Sequence, residues 1–253
     1  MSGHSKWANI KHKKAAVDAK RGKTWSRIAK QIIIAARTGG DPSMNPRLRL
    51  AVDSAKAVGM PRDNIERAIK RGTGELTSGQ AEKEMLYEGY GTAGTAVLCE
   101  ILTDNPNRTA SEVRKIFEAG GGKMGVTGCV GWMFDRKGMF VIDSDAMEED
   151  KLMDIALEAG AEDMTNQGGV YEILTAPDDF MTVAAALEAA KVPIMEATIS
   201  RIPQNTVDID DIDVARRILR MIERLEEHDD VSAVYSNHNI VDAVQEKLDE
   251  EDE

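Results

Sequence analysis

Past Gly72 the hydrophobic period of this chain changes, and that change narrows the folds open to it. Before it, apolar residues recur at helical spacing. Trp25, Ile28, Ala29, Ile32, Ile33 and Ala36 fall at i, i+3, i+4, i+7, i+8 and i+11, one stripe of an amphipathic helix. Gly39-Gly40-Asp41-Pro42 stops it. Asn45 as N-cap and Pro46 in the first turn open a second helix that buries Leu48, Ala51, Val52 and Ala55. Gly59-Met60-Pro61 breaks this one and launches a third through Ile65, Ala68 and Ile69, ended by Gly72. Three short helices with tight Gly/Pro turns predict a small bundle of helix-turn-helix character. Thr73 to Gly79 reads as a linker.

Beyond the linker, Tyr87–Tyr90 and Thr95–Leu102 read as strands, and Asn107 as the cap of a helix running to Ala119. A glycine-rich loop follows, and Trp132-Met133-Phe134 reads as a resumption of the sheet. Residues 135–206 then fit β-α-β-β-α-β. Met139–Ile142, Asp163–Asn166, Val170–Leu174 and Ile194–Ile202 are the strands; Met147–Ala159 and a helix from Pro177 to Ala190 connect them. A long helix near 210–227 and the strand Val231–Ser236 are too little for a domain, so they are expected to complete the sheet begun at Tyr87. The predicted class is α+β: an N-terminal three-helix domain followed by two α/β domains, one ferredoxin-like and inserted into the other. A prior of about 150 residues per domain suggests two or three domains, and the pattern places them at 1–75, 80–134 plus 207–253, and 135–206.

Charge divides at the same place. Residues 1–75 hold 17 Lys+Arg against 6 Asp+Glu, a net of +11, while the rest carries −23 and the whole chain −12. A cationic module on an acidic body suggests a polyanion partner, nucleic acid first. The plainer alternative is a basic face that docks on the chain's own acidic half. No apolar run approaches the roughly 20 residues of a membrane span, and the N-terminus lacks the apolar core of a secretory signal. Cys99 and Cys129 form no C-x-x-C, so a reducing cytoplasm is expected.

Little in the chain points to catalysis. His4, His12, His228 and His238 form no H-E-x-x-H, and no metal or cofactor is expected. The loop Gly120 to Gly128 fails as a P-loop, because Met124 stands where Ser or Thr should follow Gly-Lys and because it follows a helix. Asp208, Asp210, Asp211 and Asp213 read as helix-capping carboxylates rather than a cation site.

Nucleic-acid binding has better material. Lys6, Trp7, Lys11, Lys13 and Lys14 interleave an aromatic with basic residues, and Lys20, Arg21 and Lys23 continue the run. Arg27 and Lys30 follow Lys23 at helical spacing. Such residues neutralise phosphates and release counterions. Trp7 suits two roles, stacking on a base or stapling the tail to the bundle. On the third helix Asn64, Arg67 and Arg71, with Lys70 beside them, lie opposite the apolar positions. Asn and Arg are the residue types that read adenine and guanine edges in a major groove. Residues 135–206 carry 5 basic against 15 acidic residues, a poor RNA platform and a better protein-contact surface.

Several blocks are specific enough to name a family. They are Gly3-His4-Ser5-Lys6-Trp7-Ala8-Asn9-Ile10-Lys11-His12, Asn45-Pro46-Arg47-Leu48-Arg49-Leu50-Ala51, Met60 to Gly74, Tyr87-Glu88-Gly89-Tyr90-Gly91, and Thr103-Asp104-Asn105-Pro106-Asn107-Arg108-Thr109. In this order they closely resemble the YebC/PmpR family of bacterial regulators, which includes mitochondrial translational activators. The chain departs from the family pattern at Lys123-Met124, Cys129 and Gly131. The resemblance implies three domains and a non-enzymatic regulator of gene expression, DNA-binding and transcriptional in some members. Other relatives resemble ribosome-associated translation factors that bind RNA. An enzyme acting on a phosphate ligand is the remote alternative.

Overall fold

Helix α1 (Arg21–Ala36) is built around the stripe read from the sequence. The computed structural model describes residues 21–76 and 83–252. Within α1, Ile28, Ile32, Ile33 and Ala36 are buried, and Trp25 and Ala29 pack on them. Ile34 and Ala35 are buried as well, because α1 is the central helix: α2 (Pro46–Ala57), α3 (Arg62–Gly72) and a strand of the following sheet all pack on it. Asn45 caps α2, its side chain accepting from Leu48 N–H, with Pro46 in the first turn. The α2–α3 turn is a Schellman close. Gly59, at φ +68°, donates to Lys56 O and Met60 donates to Ala55 O. Gly72 seats α3 on α1: a Cβ there would lie 2.5 Å from Ile33 O and 2.6 Å from the Ala36 Cβ.

The bundle belongs to a larger compact unit that excludes residues Phe134–Gln204. Its sheet has the order β3-β1-β2-β9, from β1 (Lys83–Tyr90), β2 (Ala96–Thr103), β3 (Lys123–Met124) and β9 (Val231–Ser236), all neighbours antiparallel. Val97, Cys99 and Ile101 pack beneath α4 (Pro106–Ala119) and α7 (Ile212–Glu226), against Val113, Phe117, Met221 and Leu225. Leu102, pointing the other way by strand alternation, joins the core of the bundle. β9 supplies the strand that completes this sheet, so residues 134–204 are inserted into it.

Those inserted residues form the ferredoxin-like unit. β4 (Phe134–Asp143), α5 (Glu149–Glu158), β5 (Ala161–Asn166), β6 (Val170–Thr175), α6 (Phe180–Ala189) and β7 (Ile194–Pro203) make an antiparallel sheet of order β5-β6-β4-β7. Its core includes Phe140 stacked on Phe180, centroids 4.6 Å apart, with Leu152, Val183 and Leu187 buried.

Three readings are corrected, and three elements were missed. Asn105, not Asn107, caps α4, since Pro106 takes its first turn. Trp132 and Met133 lie in a 3₁₀ turn (Gly131–Met133), and Phe134 begins the inserted sheet instead of extending the first one. The helix expected from Pro177 begins at Phe180. Finally, a parallel pair of β8 (Val207–Ile209) with β10 (His238–Ile240), and α8 (Asp242–Asp252), were not foreseen. Among the described residues no helix is long and apolar enough to cross a membrane.

Candidate nucleic-acid interface

The described cations of the bundle separate by exposure. On α3, Arg67, Lys70 and Arg71 are exposed and Asn64 is half-buried, opposite the buried Ile65 and Ala68. Asp63 in the first turn and Lys70 and Arg71 in the last complement the helix dipole, which stabilises the helix. Arg62 is held by Glu66 at 2.8 Å. On α1, Arg27 and Lys30 are half-buried, a consequence of that helix being central. Arg21 and Lys23 stand in its first turn. Lys6, Trp7, Lys11, Lys13, Lys14 and Lys20 lie outside the described residues.

The α1–α2 connection is fixed by polar side chains. Buried Asn45 donates through its amide to Ala35 O (2.8 Å), Gly39 O (2.8 Å) and Thr38 Oγ1 (3.2 Å). Arg49 donates to Pro42 O (2.9 Å) and Ser43 O (2.6 Å), so its charge is used within the fold. Hydrogen bonds from Ser43 hold the Asp41 carboxyl below its ordinary value. The neighbouring Arg47 is exposed at the start of α2. Helical periodicity did not single it out, although it falls in the Asn45–Ala51 block.

The glycine loop has a nest of backbone donors, and the protein fills it with its own anion. Glu88, 3% exposed on β1, accepts from Gly128 N–H through Oε1 (2.7 Å) and from Val130 and Gly131 N–H through Oε2 (2.9 and 2.6 Å). A phosphate has no place there. Burial first, and then the Glu88 charge, raise the Cys129 thiol, which stays protonated at neutral pH.

Glu112, His228 and Asp230 bring one ligand atom each within 4.8 Å of one another, a metal-like grouping. Arg108 already holds a positive charge there, Nη2 lying 2.6 Å from Asp230 Oδ2. The Thr109 and Thr103 hydroxyls also donate to that oxygen, at 2.7 and 3.1 Å. Burial alone would raise the Asp230 carboxyl. The Thr109 and Arg108 hydrogen bonds and the Arg108 charge outweigh it and hold the group below its usual value. The Thr103–Thr109 block is therefore a structural clamp between β2, α4 and the start of β9.

Comparison with known proteins follows the same division of the chain. A family model described as the TACO1/YebC protein N-terminal domain matches residues 5–75, and one described as the TACO1/YebC second and third domain matches residues 82–238. A probable transcriptional regulatory protein of Moorella thermoacetica is 54% identical over 252 residues, covering 98% of this chain and 100% of that one. One of Syntrophomonas wolfei is 53% identical over 248 residues, covering 96% and 98%. The crystal structure of a conserved hypothetical protein, Aq1575 from Aquifex aeolicus, matches with a TM-score of 0.83 at 45% identity, covering 94% of this chain and 98% of that one. This chain belongs to the TACO1/YebC family.

Proposed function

We propose that the protein is a non-enzymatic, DNA-binding transcriptional regulator of the cytoplasm that grips phosphates through its N-terminal helical module. The observation that carries this reading is the α3 face, where Arg67, Lys70 and Arg71 are exposed on a helix anchored by Ile65, Ala68 and the Gly72 crossing. Cations on a packed helix meet phosphates with little backbone ordering still to be lost. Asn64 and Arg67 supply base-reading chemistry. The N-terminal residues Lys6, Lys11, Lys13, Lys14 and Lys20 add to the grip, and Arg21, Lys23, Arg27 and Lys30 extend it along α1. The acidic ferredoxin-like unit serves protein contacts. The printed names of the relatives, probable transcriptional regulatory proteins, support the regulatory role.

Crosslinking in intact cells, followed by sequencing of bound DNA and RNA, tests the reading. Enrichment on promoter DNA, released by DNase, is expected. Sedimentation with ribosomal particles at physiological salt, with release by RNase and not DNase, would replace it with a translation factor that binds RNA.

A further inference from the structure

The loop that Glu88 organises displays an aromatic surface of its own, apart from the cationic face of α3. Trp132 is 67% exposed, Val126 79% and Tyr90 40%. The two rings are tied to one atom: Trp132 Nε1–H and Tyr90 O–H both donate to Cys129 O, at 3.2 and 3.1 Å. Their polar groups are thus engaged within the protein, and what they offer outward is ring surface. Tyr90 pairs across the ladder with Lys123, which is exposed beside it. From Ala119 to Phe134 the chain has no Asp or Glu and one Lys, within a protein holding 44 carboxylates. Glu88, the carboxylate around which the loop folds, is turned inward onto three backbone N–H groups.

We infer that Trp132 and Tyr90 form a stacking platform for one unpaired nucleobase, with Lys123 taking an adjacent phosphate. Every base offers a π-face to a ring, and a flanking cation suits a nucleotide better than an apolar peptide. The inference rests on the proposed function and deepens it: the nucleic acid recognised by this protein carries a base out of the helical stack. Because the ring N–H and O–H are satisfied internally, the platform selects unpaired over paired bases without selecting among the four.

The test measures affinity of the full chain for a stem-loop oligonucleotide with unpaired loop purines and for a blunt duplex of the same stem. Trp132→Ala should weaken stem-loop binding about tenfold or more, leave the duplex unchanged, and be largely rescued by Trp132→Phe. Equal affinity of wild type and Trp132→Ala for the stem-loop would overturn the platform while duplex binding upholds the proposed function. So would a dimer in sedimentation that Trp132→Ala dissolves, because the surface would then be a contact between copies. Failure of the wild-type chain to bind either probe would overturn the proposed function and the platform together.

Discussion

Replacing Glu88 with Gln keeps the shape of the side chain and removes one of its two accepting oxygens. In the native protein Oε1 serves Gly128 and Oε2 serves both Val130 and Gly131. The better placement of the Gln carbonyl is the Oε2 side, which retains two bonds, now to a neutral acceptor. Its NH₂ then faces the Gly128 N–H, donor against donor, and the amide group itself sits on a side chain that is 3% exposed. A buried donor left unsatisfied costs about 1–3 kcal/mol, and bonds to a neutral acceptor are roughly half as strong as charge-assisted ones. Relief of carboxylate desolvation offsets part of this. The net expectation is a loss of about 2–3 kcal/mol, a sizeable share of a typical total of about 5–15 kcal/mol. Hydrogen exchange read by mass spectrometry is the direct assay, because the damage is local to residues 125–132. Amides of Gly128, Val130 and Gly131 should lose protection, and the urea midpoint of the unit containing them should fall. Unchanged exchange in the loop, with a stability change under about 0.5 kcal/mol, would refute the claim that Glu88 holds it.

Asp230, held below the ordinary carboxylate value, contributes stability that is present above about pH 4 and lost as pH falls through its folded value. Asp230→Asn should therefore be less stable than wild type at neutral pH and should flatten the fall in stability below about pH 4, read from urea midpoints at a series of acidic pH values. Gly72→Ala should force α1 and α3 apart at their closest approach and destabilise the bundle by about 1–3 kcal/mol, seen as a lowered thermal midpoint.

The parts of the fold legible in the sequence were those with a strong period. The α1 stripe and the β-α-β-β-α-β run declared themselves because their apolar spacing is set by local geometry. What escaped depends on distant partners or weak signals. β8 and β10 are three residues each and pair only through a parallel ladder about thirty residues apart. α8 offers Val244 and Leu248 to the core and little else in a run of carboxylates. Pro106 did hold the correct cap position, since proline favours the first helical turn and the residue before it stays extended. At the candidate site, the cationic face of α3 could be read because polar and apolar residues segregate on a short helix. The half-burial of Arg27 and Lys30 could not, since it follows from α2, α3 and β9 all packing on α1. The inward turn of Glu88 was equally hidden, its partners lying some forty residues further along the chain.

The central claim is that the helical module grips nucleic-acid phosphates, and salt dependence tests it most directly. Affinity of the full chain for a duplex DNA should fall linearly on a log–log plot of binding constant against salt. The double variant Arg67→Ala/Lys70→Ala should bind more weakly at low salt and show a slope shallower by about 0.9 for each phosphate that is no longer neutralised. A slope and affinity identical to wild type would contradict the account, because the α3 face would then touch no phosphate.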